Sequence, residues 1–152
     1  MRGLLFTGGT RPDMKLASRH FGVWDAVYAA DSGLTGVHEA GLDADFVVGD
    51  MDSLEDQDML LSFDEHRIIR APCDKDETDT ELALALMRNN GIDEIVMVGG
   101  GGGRMDHFFA LERLFSRENP PRVWIGSDTV AWLLDAAGTP SEIELTGLES
   151  ES

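Results

Sequence analysis

The chain has 152 residues, of which 12 are basic and 29 are acidic, and its formal net charge is −17. Its length suits one compact domain, and its apolar runs are too short to span a membrane. A nucleic-acid partner is not expected, because so acidic a surface would repel the phosphate backbone. A single cysteine excludes an internal disulfide framework, and glycines interrupt the N-terminal segment before a signal sequence can form. We therefore expect a cytoplasmic protein.

Short apolar runs alternate with helix-like segments in the first part of the chain. Such continuous apolar runs are typical of strands that are covered on both faces. The apolar runs are residues 3–7, 26–31, 45–50, 66–72 and 94–100, and the helix-like segments are residues 13–21, 78–91 and 106–117. The alternation predicts an α/β fold with a mostly parallel sheet and helices on both faces.

The pattern changes after Pro121. The segments RVWIGSD, TVAWLLDA and EIELTG are strand-like and are separated by turn residues with no helix between them. This pattern predicts an antiparallel meander or the first strands of a β domain. We therefore divide the chain into an α/β domain over residues 1–121 and a β-strand segment over residues 122–152.

Glycine or acidic residues follow every predicted strand of the α/β domain. They are Gly8 and Gly9, Asp31, Asp50 with Asp52, the acidic run 74–79 and the glycine run 99–103. Ligands of open parallel sheets bind outside the carboxyl ends of the strands. Acidic residues that served only solubility would also be spread over helix faces, so this placement predicts a functional site at that edge of the sheet.

Asp50 and Asp52 are separated by one residue in the sequence GDMDS. If this segment is extended, both side chains point to the same side, as two ligands of one Mg²⁺ require. An EF-hand loop is excluded, because counting from Asp50 or from Asp74 gives neither its glycine nor its final glutamate. A haloacid-dehalogenase-like phosphohydrolase with Asp50 as nucleophile remains an alternative, although the residue that follows the pair by two positions, Leu54, departs from that pattern.

The run DKDETDTE combines acidic residues, a lysine and the start of a helix. Thr78 and Glu81 have the spacing of a capping box, and acidic residues in a first helical turn are favoured by the helix dipole. Lys75 is not explained in this way, because the dipole disfavours a cation there. A lysine in this position suits a phosphate-bearing ligand with its metal.

The glycine run 99–103 is followed directly by Arg104. It fits neither the dinucleotide fingerprint, which needs a third glycine where Arg104 or its successors stand, nor the P-loop, which needs Gly-Lys-Ser/Thr. A flexible turn that lets a phosphate approach backbone amides remains, with Arg104 as a cation. His107 lies on the first turn of the next helix, where a structural histidine is more common than a general base.

Taken together, these segments resemble thiamine pyrophosphokinase. The matching segments are ADSG (30–33), GDMDS (49–53), DKDETDTELAL (74–84) and GGRMDH (102–107), in that family's order and approximate spacing. The resemblance implies Mg²⁺-dependent transfer of diphosphate from ATP to the hydroxyethyl group of thiamine. It also implies a homodimer, and an α/β domain followed by a thiamine-binding β-sandwich, of which residues 122–152 would be the first strands of a truncated copy.

The resemblance also implies the site residues. The catalytic set is Asp31, Asp50, Asp52, Lys75 and Asp79, of which Asp50, Asp52 and Asp79 would bind Mg²⁺. The nucleotide-binding set is Gly9, Thr10, Arg11, Thr78, Gly102, Gly103, Arg104, Asp106 and His107. One departure is Ser32, which stands where the family usually has glycine. A non-catalytic nucleotide-binding module remains a further alternative.

Overall fold

The computed structural model describes residues 1–52, 54–71, 78–102, 105–134 and 142–147. Its strands are β1 (Arg2–Phe6), β2 (Ala26–Ala30), β3 (Phe46–Gly49), β4 (Ile68–Arg70), β5 (Glu94–Val98), β6 (Val123–Ile125), β7 (Thr129–Leu134) and β8 (Glu142–Gly147). Its α-helices are α1 (Met14–Ala17), α2 (Gly33–Glu39), α3 (Asp79–Asn89) and α4 (Met105–Phe115). Short 3₁₀ segments are Ser18–His20, Gln57–Ser62 and Glu65–Arg67.

The strands form one sheet in the order β4-β3-β2-β1-β5-β6-β7-β8. The pairs from β4 through to β6 are parallel, and β6, β7 and β8 pair antiparallel. The predicted α/β class is therefore confirmed, and so is the antiparallel meander after Pro121. The meander continues the parallel sheet, because β6 pairs with β5 as well as with β7. The division into two domains stays a prediction.

Alternate residues of the central strand β1 face two hydrophobic cores. Leu4 and Phe6 belong to the core that includes residues of α1 and α2, whereas Leu5 belongs to the core that includes residues of α3. On β5, Met97 pairs with Leu5 in register and packs against Leu111 of α4. Helices therefore cover both faces of the sheet, as the apolar runs predicted.

The capping box at the start of α3 is confirmed in both directions. The hydroxyl of Thr78 accepts a hydrogen bond from the Glu81 N–H at 3.2 Å, and Glu81 Oε2 accepts one from the Thr78 N–H at 2.7 Å. Helix α2 has no such signal and was not predicted. It contains Gly33 and Gly36, and glycine disfavours helices by about 1 kcal/mol each.

The strand order reverses direction at β1, because the chain adds β2, β3 and β4 on one side and returns to add β5 on the other. In doubly wound sheets the crevice for a ligand lies at such a switch point, outside the carboxyl ends of the strands. The fold therefore places the ends of β1, β2 and β5 around one crevice. In the described part of the chain, none of the helices is long and apolar enough to cross a membrane.

A substitution at Gly33 can test how closely α2 packs on the sheet. A Cβ at this position would overlap the carbonyl oxygen of Phe6 at the end of β1. We expect Gly33→Ala to lower the free energy of unfolding by about 3 kcal/mol, because backbone atoms cannot yield as a side chain can. The matched control is Gly126→Ala, whose Cβ would meet its nearest neighbour at 3.5 Å. Urea unfolding that gave both variants the same stability would contradict this packing.

Candidate functional site

A cavity of about 360 Å³ opens at the carboxyl ends of β1, β2 and β5. One side is polar and is formed by the turn after β1, the end of β2 and the first turn of α3. The other side is apolar and is formed by Ala110, Leu111 and Leu114 of α4. The cavity therefore offers a charged end and an apolar end to one ligand or to two adjacent ligands.

Three carboxylates meet at the polar end. Asp31 follows β2, Asp50 follows β3 and Asp79 begins α3, and each offers an oxygen within 4.8 Å of the others. The parallel pairing of β2 and β3 positions them, since the Asp31 N–H donates to the Val48 carbonyl oxygen at 2.8 Å. Gly49 leaves the space they need, because a Cβ there would lie 3.1 Å from Asp79 Oδ2.

The carboxyl of Asp31 is electrostatically perturbed. Burial, followed by the charges of Asp50 and Asp79, raises the pKa of its carboxyl, and a hydrogen bond from the Ser32 backbone N–H partly opposes this rise. Asp31 Oδ1 is buried and has no hydrogen-bond partner among the residues that the structure describes. Its backbone is in the left-handed region at φ 50°, which is uncommon outside glycine. A divalent cation fits this arrangement, because it would satisfy the unpaired oxygen and offset the repulsion.

Asp52 lies outside this group of three. Met51 has φ 65° and its side chain is only 2% exposed, so the segment turns to bury Met51 in the core. The segment is therefore not extended at Met51, so the condition under which Asp50 and Asp52 would point to the same side is not met, and the role of Asp52 as a Mg²⁺ ligand stays a prediction. Asp52 is exposed, and its N–H donates to Asp50 Oδ1 at 2.9 Å. Its charge is still near enough to contribute to the raised pKa of Asp31.

Two glycine-containing turns pack against each other beside the carboxylates. The Thr10 N–H donates to the Gly101 carbonyl oxygen at 3.3 Å, and a Cβ on Gly102 would overlap the Thr10 side chain. Gly9 and Gly101 line the cavity. The structure therefore brings together Gly9, Thr10 and Gly102 of the predicted nucleotide-binding set.

The turn after β5 is also tied to the C-terminal strands. Trp124 of β6 donates its indole N–H to the Gly99 carbonyl oxygen at 2.9 Å. The Gly99 N–H in turn donates to the Ile125 carbonyl oxygen at 2.9 Å. These two hydrogen bonds attach Gly99, the first residue of the turn after β5, to β6.

Other predicted residues are placed differently. Arg11 Nε donates to Glu39 Oε2 at 3.0 Å, and Arg11 is not among the described residues that line the cavity. Asp106 lies exposed on the first turn of α4. The roles of Arg11 and Asp106 in nucleotide binding stay predictions. Lys75, Gly103 and Arg104, together with the side chain of His107, lie outside the described residues.

Sequence reasoning did not identify the apolar wall of the cavity. Leu111 and Leu114 lie within the helix predicted over residues 106–117, but helical periodicity cannot separate a core-facing side from a cavity wall. Thr80 was also not identified, although it follows Asp79 and lines the cavity. Its position next to a predicted ligand residue, within a first helical turn, was the available signal.

Comparison with known proteins gives a consistent assignment. Residues 22–125 match the family described as "Thiamin pyrophosphokinase, catalytic domain". A search of curated protein sequences finds no match. The chain is similar to the solved structure of a thiamin pyrophosphokinase family protein from Enterococcus faecalis, with 27% identity and a TM-score of 0.64 over 88% of this chain and 65% of that one.

Two further solved structures agree in fold. Thiamin pyrophosphokinase from Geobacillus thermodenitrificans is 26% identical, with a TM-score of 0.65 over 88% of this chain and 63% of that one. The enzyme from Bacillus subtilis is 22% identical, with a TM-score of 0.68 over 88% of this chain and 64% of that one, and at this identity it supports the fold alone. The chain thus spans 63–65% of the length of these three relatives. Because the family match covers more than half of the chain, the resemblance drawn from the motifs is confirmed, and the chain belongs to the thiamin pyrophosphokinase catalytic-domain family.

Proposed function

We propose that this chain is the catalytic domain of a thiamine pyrophosphokinase, which transfers diphosphate from ATP to thiamine and releases AMP. The observation that carries the proposal is the group of Asp31, Asp50 and Asp79 at the polar end of a cavity, in a member of this family. Family membership favours diphosphate transfer over the phosphohydrolase alternative. We further propose that the protein acts as a homodimer in the cytoplasm.

Asp31, Asp50 and Asp79 would hold Mg²⁺. Their oxygens are the hard ligands that this ion prefers, and a cation would satisfy the buried Oδ1 of Asp31, which has no partner in the described part of the chain. Bound Mg²⁺ supplies positive charge that neutralises phosphate oxygens and makes the phosphorus more electrophilic. Asp52, which is exposed beside Asp50, would act in the outer part of the same site.

The residues of the chain would orient the reactants. The backbone of the two glycine turns lies beside the carboxylates and allows close approach of the phosphates. The thiamine hydroxyl would attack the β-phosphorus, the bond from this phosphorus to the bridging α–β oxygen would break, and AMP would leave. Asp31 or Asp79 would accept the hydroxyl proton. Lys75 and Arg104 are proposed to offset the charge that develops on the leaving phosphate.

The direct test is incubation of the chain with ATP, Mg²⁺ and thiamine, with AMP and thiamine diphosphate measured by chromatography. We expect both products, in equal amounts and only when all three components are present. AMP or phosphate released without thiamine would favour the phosphohydrolase. ATP binding with no AMP from any acceptor would favour the non-catalytic module. Sedimentation velocity on the same sample measures the oligomeric state.

Asp79→Asn is expected to lower the rate of thiamine diphosphate formation about 100-fold or more, because it removes a charge from the group that binds the cation and a candidate proton acceptor. The thermal midpoint should remain close to that of the unmodified protein, because relief of the repulsion from Asp31 and Asp50 offsets the loss of a favourable charge in the first turn of α3. Asp43→Asn is the matched control, because Asp43 is exposed and precedes β3 at the opposite end of the sheet. Equal diphosphate-transfer rates for Asp79→Asn and the unmodified protein would reject this role.

Asp31→Asn is expected to stabilise the metal-free protein by about 1 kcal/mol at neutral pH, because it removes one of three repelling charges. Asparagine also tolerates the left-handed backbone. The raised pKa means that the folded protein binds a proton at Asp31 more readily than the unfolded chain does. The gain should therefore be largest above the raised pKa and disappear as the pH falls to about 3.9.

The readout for Asp31→Asn is the thermal midpoint with and without Mg²⁺. The unmodified protein should gain stability when Mg²⁺ is added, and the variant should gain less. A variant that is less stable than the unmodified protein in EDTA, or that responds equally to Mg²⁺, would show that Asp31 does not belong to a strained cation site.

A further inference from the structure

Ser32 lies between the carboxylate group and the first glycine turn. It follows Asp31, lines the cavity and is half-buried. Its backbone N–H donates to the Asp31 carboxylate, and its hydroxyl lies so close to Gly8 that a Cβ on Gly8 would be 2.6 Å from Ser32 Oγ. The absence of a side chain at Gly8 therefore provides the space that the Ser32 hydroxyl occupies.

The Ser32 hydroxyl differs from two other hydroxyls of the cavity wall, which are engaged within the protein. Thr7 Oγ1 donates to the Gly8 carbonyl oxygen at 3.4 Å, and Thr78 Oγ1 donates to Glu81 Oε2 at 3.1 Å. Ser32 precedes α2 but its side chain caps none of the helix N–H groups. Among the residues that the structure describes, Ser32 Oγ has no hydrogen-bond partner, so its donor is available to a ligand.

The charge of the cavity makes such a donor useful. The described residues that line it include Asp31 and Asp79 but neither lysine nor arginine. A phosphate group entering here would find hydroxyl and backbone donors in this wall, in addition to the positive charge that the proposed function assigns to Mg²⁺, Lys75 and Arg104. A hydroxyl provides one, and a hydrogen bond to an ionised oxygen is about twice as strong as a bond between neutral groups.

We propose that Ser32 Oγ donates a hydrogen bond to a phosphate oxygen of the bound nucleoside triphosphate. The proposal rests on the proposed function, because it assigns a ligand of that same site. Ser32 would bind the part of the polyphosphate that lies between the carboxylate group and the turn at Gly8. It is a binding residue, and the chemistry of transfer stays with the carboxylates.

The test is calorimetric titration of the full chain with α,β-methylene-ATP in the presence of Mg²⁺, since this analogue cannot be cleaved at the reacting position. We expect Ser32→Ala to weaken its binding about tenfold, which corresponds to the loss of one hydrogen bond to a charged group. Ser32→Thr keeps the hydroxyl and should bind within about threefold of the unmodified protein. Ser62→Ala is the matched control, because this exposed serine donates to the Met59 carbonyl oxygen in a 3₁₀ segment.

Adenosine separates a phosphate contact from a general structural effect. Its binding should be equal for Ser32→Ala and the unmodified protein, because it carries no phosphate. Two results would overturn the assignment of Ser32 but leave the proposed function intact. One is equal affinity of Ser32→Ala and the unmodified protein for α,β-methylene-ATP. The other is a loss of affinity in Ser32→Ala that is the same for α,β-methylene-ATP and for adenosine. If the unmodified protein binds no α,β-methylene-ATP with Mg²⁺, the proposed function fails and this inference fails with it.

Discussion

The mutual repulsion of Asp31, Asp50 and Asp79 is the constraint on which the site depends. Oxygens of these carboxylates lie within 4.8 Å of one another, which is unfavourable without a cation, so backbone interactions must hold them in place. The Asp31 N–H is bonded to β3, and Thr78 caps the helix that Asp79 begins. The fold thus holds three carboxylates close together at a local cost in stability, as the proposed cation site would require.

The topology explains why the carboxylates and the glycine turns lie together. Because the strand order reverses at β1, the turn after β1 lies between the end of β2, which carries Asp31, and the end of β5, which carries the second glycine turn. Contact between the two turns needs glycine for steric reasons, as the overlap predicted for a Cβ on Gly102 shows. One crevice therefore combines the carboxylate group with the two glycine turns, to which the proposed function assigns the cation and the phosphates.

The sequence predicted those features that depend on local signals. The parallel sheet followed from apolar runs, and α3 followed from the capping box of Thr78 and Glu81. Helix α2 was not predicted, because glycine has a low helix propensity. Gly33 is needed there for the close contact of the helix with β1, and this tertiary contact does not contribute to local propensity. The turn between Asp50 and Asp52 could not be predicted, because it depends on the burial of Met51 in the core, which is also a tertiary effect. The apolar wall of the cavity was not identified, because helical periodicity indicates which residues of a helix are buried but not whether a cavity lies beside them.

The hydrogen bond from the Trp124 indole to the Gly99 carbonyl oxygen has a practical consequence. An indole emits light whose intensity and wavelength depend on its hydrogen bonding and solvent contact. Trp124 is one of three tryptophans, and it is bonded to the first residue of a turn that borders the cavity. The protein thereby contains a natural fluorophore attached to this turn, so that rearrangement there can be followed optically without a chemical label.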